Sequence, residues 1–188
     1  MESTNQILLE NIQNSISEVV PKKKIGIAFS GGVDSTLVSK ICTDMGFDVV
    51  LLTIGFSESH DIIFSKEVNE FLNYSHHVLE IDPETFPKIT TDIHKVIDTD
   101  NLSWNENCIA FHYVSKLAKS LNLDVVITGN GIDELFCGYN AYREAFVGGQ
   151  TKINEVMDSK LENELKMMKA VNVIASEFDV KILQPLLS

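Results

Sequence analysis

Apolar residues along this chain follow two periods, one typical of amphipathic helices and one typical of buried strands. Between residues 4 and 20, apolar side chains recur every three or four positions, which predicts a helix with one buried face. Residues 25–29, 49–54 and 124–128 are instead short and largely continuous apolar runs, the pattern of strands covered on both faces. A further strand is predicted around residues 76–81. The pattern therefore alternates between strands and helices.

Helical patterns also fill the segments between these strands and the end of the chain. They are predicted, in order, over residues 35–45, 61–72, 91–96, 105–121 and 153–178. Pro83 and Pro87 mark an expected connection before the third of these helices. Strands that alternate with helices favour parallel β-α-β units. We therefore expect an α/β fold, a doubly wound and mostly parallel sheet with helices on both faces and a helical C-terminal segment.

Composition narrows the class of protein without changing this picture. The chain has 188 residues, enough for one α/β domain, and no linker or repeat divides residues 1–188. A formal net charge of −12 leaves no electrostatic footprint for nucleic acid. No apolar stretch approaches the roughly 20 residues that span a bilayer, and residues 1–6 lack the features of a signal peptide. We expect a cytoplasmic protein that binds neither nucleic acid nor membranes.

Cysteine and histidine residues do not form an obvious metal site. Cys42, Cys108 and Cys137 are odd in number and lack C-x-x-C spacing, which argues against a disulfide framework, a zinc ribbon or an iron–sulfur cluster. We expect buried or inert thiols. His76 and His77 are adjacent in a predicted strand, so their side chains point to opposite faces and a structural role is favoured.

The most informative motif is SGGVDS at residues 30–35, directly after the first predicted strand. Its glycines let several backbone N–H groups point at one anion, and the helix that follows adds the positive end of its dipole. Ser30 and Ser35 add hydroxyl donors, and Asp34 could hold a magnesium ion shared with phosphates. The spacing is neither that of a Walker loop nor that of a dinucleotide fingerprint. It is the spacing of the pyrophosphate loop in enzymes that cleave ATP between its α and β phosphates, and the alternative is an ordinary strand-to-helix turn.

A second motif, TGNGIDELFCGY at residues 128–139, follows the last predicted strand. Gly129 and Gly131 permit a tight loop, and Asp133 and Glu134 place acids after it. Ligands of doubly wound sheets bind outside the carboxyl ends of the strands, so both motifs are expected at one cleft. Magnesium held by Asp34 and Asp133 would relieve the repulsion between carboxylates and a triphosphate. The alternative is an acid pair that complements the dipole at the start of a helix.

Together the two motifs resemble the synthetase domain of asparagine synthetases and their relatives, in which an SGG-x-DS loop precedes a GEG-x-DELFGGY segment. The resemblance covers residues 20–188. It implies an adenine nucleotide alpha hydrolase-like fold and a ligase of asparagine biosynthesis. In that family ATP adenylates a carboxylate, pyrophosphate leaves, and an amine attacks the acyl-adenylate to form an amide.

The resemblance also implies a role for individual residues. Asp34 and Asp133 would hold Mg2+, and Gly129 would lie against the nucleotide. Backbone around Ala28 and Ile54 would bind adenine. The pyrophosphate would be held by the loop residues Ser30, Gly31, Gly32, Asp34 and Ser35. The catalytic set would comprise Asp34, Asp133, Asn130 and Glu134.

Three departures from the family pattern bear on the amide-forming half of the reaction. Asn130 stands where the family carries a glutamate, and an amide cannot accept a proton as a carboxylate does. Glu134 and Tyr139 are the nearest titratable alternatives. Residue 2 is Glu2 and not the cysteine of a glutaminase domain, so we expect ammonia to be free, to come from a separate glutaminase subunit, or to be replaced by another amine. The chain ends where relatives continue, as expected of a truncated chain or an incomplete site.

These observations favour an ATP-dependent carbon–nitrogen ligase that forms AMP and pyrophosphate, with aspartate as the first candidate for the carboxylate. Two alternatives stay open. One is another pyrophosphate-loop amidotransferase or a tRNA-modifying enzyme, and the other is a nucleotide-binding subunit without catalysis. A homodimer is also open.

Overall fold

The structure is a computed structural model that describes residues 3–21 and 23–187. Met1, Glu2, Lys22 and Ser188 lie outside the described residues, as does the expectation that concerns Glu2. Five strands form one parallel sheet: β1 Lys24–Ala28, β2 Asp48–Gly55, β3 Ser75–Glu80, β4 Val125–Ile127 and β5 Lys181–Leu183.

Eight α-helices precede, connect or follow these strands in the described part of the chain. They are α1 Thr4–Val19, α2 Val33–Asp44, α3 His60–Leu72, α4 Phe86–Ile97, α5 Leu102–Ser120, α6 Ile132–Leu135, α7 Asn140–Val147 and α8 Gln150–Ser176. A short 3-10 helix, Pro185–Leu187, follows β5. None of the helices in residues 3–21 and 23–187 combines the length and apolar character that crossing a membrane requires.

Helices cover both faces of the sheet, and successive strand residues point alternately into the two cores. Ile25, Ile27 and Leu51 face a core that α1 and α2 cover, with α3 at its margin. Val50 and Leu52 belong to a second core, on the opposite face, which α4, α5 and α8 cover. This arrangement confirms the predicted doubly wound parallel sheet and explains why the central strands β1 and β2 are continuous apolar runs.

One prediction about secondary structure is wrong, and one strand was not predicted. Pro87 was expected in a connection before residue 91, but α4 already begins at Phe86. Proline fits the first turn of a helix, where its missing N–H would have no helical partner. The predicted helix over residues 153–178 is confirmed as α8, and the strand that the pattern did not predict is β5, which follows α8 and pairs with β4 in parallel.

The cysteines behave as expected of buried thiols. Cys42 and Cys108 are free and buried, and Cys137 is half-buried and free. Burial raises the pKa of Cys42 to about 12 and the pKa of Cys108 to about 11. Both thiols therefore stay protonated and unreactive at neutral pH.

The order of the strands determines where a ligand can bind. The spatial order is β3-β2-β1-β4-β5. Strands β2 and β3 lie on one side of β1, and β4 and β5 lie on the other side. The connections after β1 and β4 thus diverge and leave a crevice between the carboxyl ends of these strands. The SGGVDS motif follows β1, and the TGNGIDELFCGY motif follows β4.

Candidate functional site

A cavity of about 330 Å³ lies at the carboxyl ends of β1 and β4. Every predicted site residue except Gly31 and Gly32 lines it: Ala28, Ser30, Asp34, Ser35, Ile54, Gly129, Asn130, Asp133 and Glu134. Gly31 and Gly32 lie in the loop that forms one wall of the cavity. The structure therefore brings the two motifs together at one cleft, although about 100 residues separate them along the chain.

The loop over residues 30–35 is held by its own hydroxyl groups and by α3. Gly31 has φ +81°, and a Cβ at this position would lie 3.0 Å from the Cα atom of Ser65 in α3. Only glycine combines this backbone conformation with so close an approach. The Gly32 N–H donates to Ser30 Oγ at 3.2 Å, and Ser35 Oγ donates to the Gly32 carbonyl at 3.2 Å. The loop therefore presents the N-terminus of α2, which begins after Gly32, to the cleft.

The second motif approaches this loop closely. A Cβ at Gly129 would lie 3.2 Å from Asp34 Cβ, so glycine permits the contact between the two segments. Burial raises the pKa of Asp34, and the negative charges of Asp133 and Glu134 raise it further. Carboxylates that oppose one another in this way destabilise their ionised forms, and a divalent cation would relieve the repulsion.

The carboxylate oxygens of Asp34 and Asp133 are of the kind that Mg2+ prefers as ligands. Mg2+ prefers oxygen ligands and usually takes one or two carboxylates, with waters and substrate phosphates completing its coordination. In the described part of the chain, no group of three or more His, Cys, Asp or Glu residues has the arrangement of a metal site. Two carboxylates beside the N-terminus of a helix are compatible with a metal that is shared with an anionic ligand.

Glu134 is buried, and its carboxylate contacts two residues of the second motif. Its Oε2 atom accepts a hydrogen bond from the Gly131 N–H at 3.0 Å, and its Oε1 atom accepts one from the Tyr139 hydroxyl. The Tyr142 hydroxyl donates to the Glu134 backbone carbonyl at 2.7 Å. Asp133 and Glu134 occupy the first turn of α6, as the alternative interpretation of this acid pair predicts. The contacts of Glu134 therefore hold the loop in shape.

Asn130 contacts a residue that the sequence analysis did not single out. The Asn130 Nδ2 atom donates to Glu164 Oε1 at 2.7 Å, and Asn130 Oδ1 accepts from the Thr128 hydroxyl. Glu164 lies on α8 and is only 6% exposed. Burial raises the pKa of Glu164, the hydrogen bond from Asn130 lowers it, and the charge of Glu134 raises it.

A family model described as asparagine synthase matches residues 8–179, which is most of the chain. The chain belongs to the asparagine synthase family. A glutamine-hydrolyzing asparagine synthetase 1 of Methanocaldococcus jannaschii is 30% identical over 146 residues, which cover 77% of this chain and 27% of that protein. The glutamine-hydrolyzing asparagine synthetase of Asparagus officinalis is 27% identical over 140 residues, which cover 69% of this chain and 24% of that protein. The chain thus spans about a quarter of the length of these relatives.

Among solved structures, the fold is similar to that of NMN synthetase from Francisella tularensis. The TM-score is 0.51 at 21% sequence identity, and the match covers 73% of this chain and 59% of the other. At this level of identity the likeness concerns the fold alone. It agrees with the fold expected from the resemblance to the asparagine synthase family.

Ala28 and Ile54, which the resemblance places near adenine, line the cleft, and so do the apolar residues Leu52, Phe111 and Val114. Phe111 is buried in the core beneath α5 and also lines the cleft.

The sequence marks Glu164 as a site residue less clearly than it marks the residues of the two motifs. It occupies a buried position three residues before the buried Met167, so an acid interrupts the apolar face of α8. Acids are rarely buried without a partner, and this interruption could have marked Glu164 as a residue that contacts a polar group.

Proposed function

We propose that this chain carries the activity of an ATP-dependent ligase that adenylates a carboxylate, releases pyrophosphate and forms an amide. One observation supports this most strongly. The phosphate-type loop over residues 30–35 and the acidic loop over residues 128–139 line a single cleft at the point where the strand order reverses. Family membership supports the same conclusion.

The loop over residues 30–35 binds the phosphates of ATP in this proposal. The Gly31 N–H, the Ser30 hydroxyl and the N-terminus of α2 donate to phosphate oxygens. Gly32 and Ser35 keep the loop in this shape through their hydrogen bonds within it. Donors that are fixed before the substrate arrives stabilise the charge that develops on leaving pyrophosphate without further reorganisation. The preceding hydrogen bonds within the loop support such preorganisation.

The nucleoside end of ATP lies on the other side of the cleft. Backbone around Ala28 and Ile54 contacts adenine, and Gly129 lies against the nucleotide where a side chain would collide with Asp34. The apolar side chains among the lining residues favour burial of an aromatic base.

Asp34 and Asp133 hold Mg2+ in this proposal. The metal supplies neutralisation of phosphate charge. The raised pKa of Asp34 supports the assignment because it reflects the same crowding of carboxylates that a divalent cation would relieve.

The amide-forming half of the cleft involves Asn130 and Glu134. Asn130 orients the acyl group by hydrogen bonding, because its amide has no basic site for a proton. Glu134 keeps the loop in shape through Gly131 and Tyr139. A role for Glu134 as the proton acceptor is the alternative, and the variant Glu134→Gln separates the two because it keeps an acceptor atom but not the base.

The substrates are a small-molecule carboxylate, with aspartate as the first candidate, and an amine or ammonia. Ammonia is free or comes from a glutaminase that acts as a partner, and the names of the relatives, which include glutamine hydrolysis, motivate that second source. The cytoplasm is the compartment in which ATP and these substrates would be available.

The test is exchange of labelled pyrophosphate into ATP in the presence of Mg2+. Aspartate is assayed first and is followed by a panel of other carboxylic acids. We expect exchange that requires both the metal and one of the acids, and we expect Asp34→Asn to abolish it. Asp44→Asn is a matched control, because Asp44 lies on the same helix but is exposed and paired with Lys40.

The result that would contradict the proposal is ATP binding without exchange for every acid. That outcome would favour a nucleotide-binding subunit without catalysis. The presence of Asn130 in place of the family glutamate motivates this alternative. Exchange that requires tRNA instead of a small acid would favour a tRNA-modifying enzyme.

A further inference from the structure

The side-chain amide of Asn130 is held at both ends by different residues. Its Oδ1 atom accepts a hydrogen bond from the Thr128 hydroxyl, and its Nδ2 atom donates to Glu164 Oε1 at 2.7 Å. The backbone N–H of Asn130 also donates to Thr128 Oγ1 at 3.3 Å. Thr128 and Glu164 are both buried, whereas Asn130 is half-buried and lines the cleft.

These partners determine which way the amide faces. The Thr128 hydroxyl has one proton, and it donates that proton to Oδ1. Glu164 offers carboxylate oxygens, and the 2.7 Å distance is typical of a charge-assisted hydrogen bond. A flipped amide would set Oδ1 against the Glu164 carboxylate, which would bring two acceptors together and leave a buried acid without its donor.

The amide has a further N–H group after these contacts are made. Asn carries two N–H donors on Nδ2, and only one of them is used by Glu164. No other hydrogen bond from Nδ2 occurs among residues 3–21 and 23–187. Asn130 therefore presents a donor to the cleft, whereas a glutamate at this position would present acceptor oxygens.

We propose that Glu164 is a positioning residue that fixes Asn130 with an N–H group facing the cleft, so that position 130 binds an oxygen of the carboxylate substrate. This inference rests on the proposed function for the identity of the ligand. Glu164 does not line the cavity, so it acts through Asn130 and is not itself a catalytic residue. The donor would act on the acyl oxygen before and after adenylation, because both species carry an acceptor there.

The geometric part of the proposal is tested by NMR on the ligand-free protein labelled with 15N. The measured quantity is the exchange rate of the Asn130 side-chain amide protons with water. Glu164→Leu removes the acceptor with little change in volume, and Glu164→Gln retains an acceptor oxygen. Glu162→Gln is the control, because Glu162 is exposed on the same helix and contacts Lys166 at 2.6 Å.

We expect Glu164→Leu to raise the slower of the two exchange rates by about tenfold or more, as loss of one hydrogen bond implies. The rates in Glu164→Gln and Glu162→Gln should stay close to that of the unmodified protein. Equal exchange rates in Glu164→Leu and the unmodified protein would overturn the proposal. A folded state is verified for each variant from the dispersion of its backbone amide signals.

The ligand is tested by pyrophosphate exchange with the acid that is active in the unmodified protein, starting from L-aspartate. We expect Glu164→Leu to raise the KM for the acid by about tenfold, the effect of one lost hydrogen bond, and to leave the KM for ATP unchanged. Glu164→Gln should retain most of the affinity for the acid. In an Asn130→Ala background the change at Glu164 should have no further effect on this KM.

Two kinetic results would overturn the assignment of the ligand. One is additivity of Asn130→Ala and Glu164→Leu, which would show that Glu164 does not act through Asn130. The other is an equal rise in the KM for ATP. Absence of exchange with every acid in the unmodified protein would instead refute the proposed function, and the NMR experiment would still decide whether Glu164 fixes the amide.

Discussion

Glu134 is the residue whose replacement tests most clearly whether the second loop is stabilised from within. Glu134→Ala removes the acceptor of the Gly131 N–H, which is 3.0 Å from Oε2, and the acceptor of the Tyr139 hydroxyl. Gly131 is buried and Tyr139 is half-buried, so water can replace the lost partner only at Tyr139. A buried polar group left unsatisfied costs about 1–3 kcal/mol. We therefore expect the free energy of unfolding to fall by roughly 2–4 kcal/mol.

The assay is unfolding by urea, monitored by circular dichroism, with the free energy extrapolated to water. Glu134→Gln keeps a carbonyl acceptor for the Gly131 N–H, and we expect it to cost only about 1 kcal/mol. Glu162→Ala is the control, because an exposed ion pair contributes about 0–1 kcal/mol. A Glu134→Ala variant as stable as the control would refute this account of the loop. Loss of amide formation in a fully stable Glu134→Gln variant would assign Glu134 to the chemistry.

Three further predictions concern the glycines, a histidine and the thiols. Gly131→Ala should cost about 1–2 kcal/mol more than Gly46→Ala, because both have positive φ but only Gly131 would place a Cβ 2.8 Å from another side chain; equal losses by urea unfolding would contradict this. Burial lowers the pKa of His76, so as the pH falls the unfolded chain binds the proton first and the free energy of unfolding falls below about pH 6.5. His76→Gln should reduce this fall, and an unchanged slope of the free energy of unfolding against pH would exclude the explanation. Iodoacetamide should label Cys137 in the native protein at about pH 8 and the two buried thiols only after unfolding, as mass spectrometry can show; equally fast labelling of all three would be inconsistent with their burial.

The central strands and the first loop could be predicted from local sequence for a physical reason. Strands β1 and β2 are covered on both faces, so burial requires nearly continuous apolar residues. The loop over residues 30–35 depends on glycine at a positive φ and on hydroxyls within a few positions, so its signal is contained in six residues. The residues that determine these features lie within the strands and the loop themselves.

Other features depend on packing that local patterns do not record. Strand β5 has three residues, and its identity as a strand follows from its pairing with β4. The contact between Asn130 and Glu164 spans 34 positions and exists only because α8 packs beside the second loop. The roles of Glu134 in the loop and of Asn130 at the cleft could therefore be interpreted only after the fold was known.

Calorimetric titration of ATP in the presence of Mg2+ tests most directly the claim that both loops form one nucleotide site. We expect ATP to bind more tightly with the metal than without it. Asp34→Asn and Asp133→Asn should each weaken binding in Mg2+ by about tenfold, or about 1.4 kcal/mol, and the double variant should lose little more because both remove ligands of the same ion. Asp44→Asn should bind as the unmodified protein does. Unaltered binding in Asp133→Asn, with binding lost in Asp34→Asn, would contradict a site shared by the two loops.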